Sequence, residues 1–94
     1  MKKWKVGIVG LARGNGFVKV FSAHPEVEVT ALCDINAERL ASTGKAFSLP
    51  EERLFTRFDD FLNAPMDIVM IATPIAFHTE QTIRSLESGR HVLD

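Results

Sequence analysis

Short apolar runs recur along this chain, and segments with helical spacing separate them. Val6-Gly7-Ile8-Val9 runs into a glycine, and Val27, Val29, Ala31 and Leu32 lead to Cys33-Asp34. Asp67-Ile68-Val69-Met70-Ile71-Ala72 is the clearest run, nearly all apolar after its leading aspartate. Runs this short and this apolar suit strands buried on both faces. Leu54-Phe55-Thr56 and His91-Val92-Leu93 supply two shorter candidates. Between the runs, Phe17, Val20 and Phe21 lead to the stop at Pro25, after His24 at the helix end. Ala37, Leu40, Ala41 and Phe47 follow Asn36, a suitable N-cap. Phe58, Phe61 and Leu62 mark a brief helix, whose N-terminal preference explains Asp59-Asp60. Thr79, Ile83 and Leu86 mark another, with Gly89 suited to a left-handed C′ position.

Strands alternating with helices are the mark of βαβ units, and right-handed crossovers place the helices on both faces of a sheet. The sequence therefore predicts an α/β fold of Rossmann-like, doubly wound type. Its parallel five-stranded sheet has strands near residues 5–9, 28–33, 54–56, 67–72 and 91–93. The expected strand order is 3-2-1-4-5 in three layers, α/β/α. All-α and β-sandwich folds leave the continuous apolar runs unexplained.

Composition narrows the function classes. The 94 residues, 46% hydrophobic and 24% charged, are expected to form one domain, 1–94, without a linker or repeat. Eleven basic residues against 12 acidic ones leave a formal charge of -1, so neither nucleic acid nor a membrane is expected as a partner. The single cysteine, Cys33, excludes an internal disulfide and a CxxC metal or redox site, and it reads as a small core residue. No apolar stretch approaches a signal peptide's core or a membrane span, so a cytoplasmic protein is expected.

Two segments, with one acid between them, carry the chemistry. Gly10-Leu11-Ala12-Arg13-Gly14-Asn15-Gly16 follows the first strand. A glycine-rich turn from strand to helix brings backbone N–H groups to a pyrophosphate. Of the GxGxxG positions 10, 12 and 15, only Gly10 matches; any tight strand-to-helix turn can also carry such glycines. Asp34 ends the second strand where a dinucleotide site places an acid for the adenosine ribose. The competing reading is a turn or capping residue, but Asn36 already serves as cap. A carboxylate there favours NAD over NADP, while Arg13 and Arg39 are placed to reach a 2′-phosphate and keep NADP open. The second segment, Ala72-Thr73-Pro74 with His78, follows the best strand at the carboxyl edge where open α/β sheets bind ligands. His78 is not assigned a catalytic role, and no metal ligands are assigned.

Taken together, these segments resemble the amino-terminal domain of the glucose–fructose oxidoreductase / inositol dehydrogenase / MocA family. The matching pieces are Lys5 to Leu11, Val29 to Asp34, Asp67 to Pro74 with His78, and Leu86 to Leu93. The resemblance implies NAD or NADP binding, with Gly10, Leu11, Ala12 and Arg13 at the pyrophosphate turn. It implies Asp34 at the ribose, and Thr73, Pro74 and His78 along the dinucleotide cleft. It also implies oxidation or reduction of a carbinol carbon in a sugar, cyclitol or related polyol. Ala12 departs from the family's middle glycine. The family continues after this point with Glu-Lys-Pro, whose lysine is catalytic, and with a substrate domain. On that basis the 94 residues are expected to be a cofactor-binding module without turnover of its own. Alternatives are a structural fragment, or part of a dehydrogenase completed by another chain. Self-association through the edge beside the fifth strand is expected as well.

Overall fold

The computed structural model describes residues 3–94. Strands β1 (Trp4–Val9), β2 (Val27–Cys33), β3 (Leu54–Phe55), β4 (Ile68–Ile71) and β5 (His91–Leu93) alternate with helices. The helices are α1 (Leu11–Ala23), α2 (Ala37–Ala46), α3 (Phe58–Leu62) and α4 (Ile75–Glu87), with a 3₁₀ turn at Glu51–Arg53. The sheet order is β3-β2-β1-β4-β5, every neighbouring pair is parallel, and β1 is central. Each expected strand is present within two residues of its expected limits.

The sheet is buried on both faces, which accounts for its nearly uninterrupted apolar strands. On one face Val6, Ile8, Val29, Leu32 and Met70 pack with Leu11 and Val18 of α1 and Leu40 of α2. On the other, Val9, Ala31, Cys33, Val69 and Ile71 pack with Phe61 of α3. Helix α4 lies on the α3 side, where the Arg84 guanidinium sits 5.1 Å from the Phe58 ring centre. Asp67 pins the start of β4, accepting the Lys5 N–H on its carboxylate at 2.9 Å and donating its own N–H to the Lys5 carbonyl at 2.7 Å.

Caps follow the sequence closely. The Asn36 side chain accepts the Arg39 N–H at 3.0 Å and starts α2. At the end of α4, Gly89 takes φ +86°, its N–H meets the Leu86 carbonyl, and the Arg90 N–H meets that of Ser85. That pair of bonds is a Schellman motif.

Two expectations need correction. The stretch from Leu11 to Gly16 is helix, not turn: α1 begins directly after Gly10 and buries Leu11, Gly14 and Val18. Phe17 and Val20, read as part of its apolar face, are 41% and 64% exposed. On α4 the apolar stripe also faces outward, with Ile83 and Leu86 about half exposed and Ser85 fully buried. A small residue, Gly14 in α1 and Ser85 in α4, sits at a buried position of each helix, while Phe17, Val20, Ile83 and Leu86 are turned outward.

Candidate functional site

The central element of the site is Gly10. It has φ +90°, a conformation glycine adopts freely and other residues avoid. A Cβ built there lies 2.7 Å from the Ala72 carbonyl carbon and the Thr73 nitrogen. Only a residue without a side chain lets the end of β1 come this close to the exit of β4. One turn further on, a Cβ at Gly14 lies 2.9 Å from Ile8 Cγ2. Gly14 thus provides the close helix-to-sheet packing, a role that strict GxGxxG spacing puts at position 15.

The first N–H groups of a helix have no partner within it. In α1 the Leu11 N–H donates to Asp34 Oδ2 at 2.8 Å, and the Gly14 N–H returns to the Gly10 carbonyl. Those of Ala12 and Arg13 carry no hydrogen bond among the described residues. The Leu11 side chain is 1% exposed and belongs to the core, so Leu11 meets the site only through its N–H.

Asp34 is 7% exposed at the end of β2. Its second oxygen, Oδ1, accepts the Asn36 N–H at 2.8 Å, and the Arg39 guanidinium stands 3.5 Å from Oδ2. The carboxylate therefore links the start of α1 to the approach to α2, as the turn-residue reading expects. It does not compete with a ligand role, because a carboxylate offers about four acceptor sites. Beside it, burial pushes the Cys33 thiol up to about 12, with the charges of Asp34 and Asp60 adding to the effect.

These groups surround a cleft of about 440 Å³ at the carboxyl ends of the central strands. Gly10, Ala12, Arg13, Asp34, Thr73 and Pro74 line it, as their sequence positions suggest. His78 does not. It lines a second space of about 300 Å³ with Phe17, Met70 and Asp94, and its Nε2 is 3.5 Å from Asp94 Oδ1. The two spaces share Arg13, Ala72 and Thr73. Sequence reasoning missed Ile35, Thr56, Phe58, Phe77 and Gln81, which complete the larger cleft. Thr73 Oγ1 and Gln81 Oε1 are 2.6 Å apart, a contact that holds α4 to the exit of β4. Ile35 had one readable signal, an apolar residue isolated between Asp34 and the Asn36 cap, and it is 89% exposed.

No group of His, Cys, Asp and Glu suited to a metal ion occurs among the described residues. No helix there is long and apolar enough to cross a membrane.

Comparison with known proteins gives the site its context. Residues 4–93 match the family model for the Gfo/Idh/MocA oxidoreductases, described as "Oxidoreductase family, NAD-binding Rossmann fold". Among curated relatives, a glycosyl hydrolase family 109 protein of Bacteroides fragilis is 34% identical over 97 residues, covering 94% of this chain and 21% of its own length. Among solved structures, scyllo-inositol dehydrogenase from Lactobacillus casei with bound NAD(H) and scyllo-inositol superposes with a TM-score of 0.88 at 31% identity. The match covers 97% of this chain and 27% of that one. The WlbA dehydrogenase from Bordetella pertussis, in complex with NADH and UDP-GlcNAcA, gives 0.86 at 29% identity, covering 97% and 28%. The chain thus spans about a fifth of the length of the curated relatives it matches.

Proposed function

This chain belongs to the Gfo/Idh/MocA oxidoreductase family and carries its NAD-binding Rossmann fold, and from that premise we propose that it holds NAD for oxidoreduction at a carbinol carbon of a sugar or cyclitol. The observation that carries the residue assignment is the pair of unpartnered N–H groups at Ala12 and Arg13, opening on the cleft that Asp34 closes. A diphosphate fits that end of α1, where free N–H groups and the helix dipole both favour anions. Arg13 adds a positive side chain. Asp34 keeps acceptor sites for the ribose hydroxyls, while Thr73 and Pro74 form the opposite wall. The space lined by His78 and Asp94 continues from the shared Arg13–Thr73 region and takes the nicotinamide end. When bound, the nicotinamide supplies hydride chemistry; these residues bind and orient it. Self-association belongs to the same reading, since among the described residues β5 pairs only with β4, and Leu93 is 44% exposed.

A second reading comes from the names of the curated relatives: glycoside hydrolysis with a retained cofactor, a chemistry for which NAD-dependent examples exist. Calorimetric titration with ADP, NAD and nicotinamide mononucleotide tests the cofactor assignment. ADP and NAD bind, NAD the tighter, and Asp34→Ala weakens both by about tenfold or more, the loss expected for hydrogen bonds to a charged group. Failure of ADP to bind overturns the assignment. A polyol panel read as NADH formation, set against glycoside cleavage without net NADH, separates the two reactions in the full-length protein.

A further inference from the structure

Among the described residues, β5 has β4 on one side and no strand on the other. The His91 N–H donates inward, to the Asp67 carbonyl at 3.0 Å. Backbone groups alternate along a strand, so the Val92 N–H and carbonyl point outward, to the free edge. Charges of opposite sign flank the strand, Arg90 before it and Asp94 after it. Arg90 donates to the Met66 and Ala64 carbonyls and pairs with no carboxylate among the described residues. Asp94 uses Oδ1 toward His78 and Thr82, and its side chain is 47% exposed. Helix α4 adds an unpartnered apolar stripe beside the same edge. Phe77 and Gln81 line the cleft and Arg84 covers the Phe58 ring, so that side of α4 faces α3. At 3.6 residues per turn, Thr79, Ile83 and Leu86 fall on the opposite side, past β5. Ile83 and Leu86 are 50% and 56% exposed.

Resting on the self-association reading above, we infer that a second copy docks about a twofold axis through Val92, perpendicular to the sheet. In that arrangement β5 lies antiparallel to β5, and α4 packs against α4. The two Val92 residues exchange both backbone hydrogen bonds, as a hydrogen-bonded antiparallel pair does. Each Arg90 then stands opposite Asp94 of the other copy, on the same face of the sheet. Two of the five Arg90 N–H donors are used within the chain, so three remain for that carboxylate. The helices fit the same axis. A crossover helix lies midway over its two strands, and strands are about 4.8 Å apart. The two α4 axes therefore stand about 10 Å apart, the spacing of packed helices. Asp94 meets α4 at His78 and Thr82, and Val92 lies about 6.6 Å back along β5, a rise of roughly four helical residues. Ile83 and Leu86 are thus level with the axis and meet their own copies. Glu80 and Glu87 flank the stripe on its solvent side and oppose each other across the axis. With an edge strand of only three residues, these like charges keep the dimer in the weak class of interfaces.

Sedimentation velocity of the 94-residue chain between about 10 μM and 1 mM tests this, with circular dichroism to verify that each variant folds. The parent forms dimers and no larger species, because the twofold consumes the β5 edge of each copy. Leu86→Glu weakens dimerisation by about tenfold or more, since it brings a charge into the apolar contact. Asp94→Arg weakens it by about tenfold, since two charge pairs change sign, and Asp94→Glu stays near the parent. Facing Cα atoms on helices so spaced lie about 5 Å apart, within reach of a disulfide. Mild oxidation of Ile83→Cys or Leu86→Cys therefore gives a covalent dimer, whereas Val20→Cys, on the other face of the sheet, does not; the native Cys33 is buried. A parent that stays monomeric throughout overturns self-association and this geometry with it. A dimer indifferent to Leu86→Glu and Asp94→Arg, cross-linking at Val20 but not on α4, or growth beyond the dimer overturns the geometry and leaves self-association standing.

Discussion

Three glycines within seven residues answer to three different physical demands, and replacing each by alanine separates them. At Gly10, φ is +90°, and the left-handed region costs an L-residue about 1–2 kcal/mol. The new Cβ also meets the Ala72 and Thr73 backbone at 2.7 Å. Forcing those segments apart adds about 1–3 kcal/mol, as overpacking does elsewhere. Restricting the unfolded chain returns roughly 0.4–1 kcal/mol, leaving a net loss of about 1–4.5 kcal/mol. A domain of this length holds only about 5–14 kcal/mol in total, so Tm should fall by about 5–35 °C. At Gly14 the clash is with the Ile8 side chain at 2.9 Å. The roughly 1 kcal/mol gain in helix propensity offsets part of that overpacking, placing Gly14→Ala between the other two. At Gly16 a Cβ meets nothing within 4 Å, so alanine stabilises α1 by about 0.5–1 kcal/mol. Urea denaturation followed by far-ultraviolet circular dichroism gives all three values. A neutral Gly10→Ala, or a Gly16→Ala less stable than the parent, would refute the reasoning.

Two further substitutions probe buried polar groups. The folded Cys33 thiol titrates at about 12 against an ordinary 9.0, because burial and two neighbouring acids disfavour the thiolate. A folded value raised above the unfolded one leaves stability intact below pH 9 and erodes it from there towards 12, by about 1.4 kcal/mol per pH unit at most. Urea midpoints between pH 7 and 10.5 should fall faster for the parent than for Cys33→Ala, and parallel curves would show that the thiol ionises freely. On α4, the Ser85 hydroxyl is buried without a hydrogen-bond partner among the described residues. Ser85→Ala should raise stability by about 0.5–2 kcal/mol, through better helix propensity and removal of an unpaired polar group. A lower urea midpoint would mean that this hydroxyl has a partner.

The sheet was legible because its signal is local: a buried parallel strand needs an apolar run, and β1, β2 and β4 each have one. Handedness then left one sensible strand order. Helix α1 was harder to read, since Gly14 and Gly16 lower helix propensity where tertiary packing overrides it. Half of the cleft followed the same division. Gly10, Asp34 and Thr73 sit at strand ends, where position alone implies a site. Thr56, Phe58, Phe77 and Gln81 come from separate connections and helices, and only the folded topology gathers them. His78 could be assigned to a helix from sequence. The Asp94 carboxylate beside it could not, because that neighbour is set by how α4 and β5 lie together.

The backbone contact at Gly10 bears on how such a site can be transplanted. The turn leaving β1 and the exit of β4 fit each other without any intervening side chain, although they lie far apart in the chain. A chimera that imports a nucleotide-binding turn from another protein receives one half of a mated surface. If the incoming turn carries a side chain at position 10, or the recipient's Ala72-Thr73 follows a different path, the two strands meet only with strain. Recombination within such folds therefore conserves the site only when both segments travel together, and the smallest portable unit is a discontinuous one.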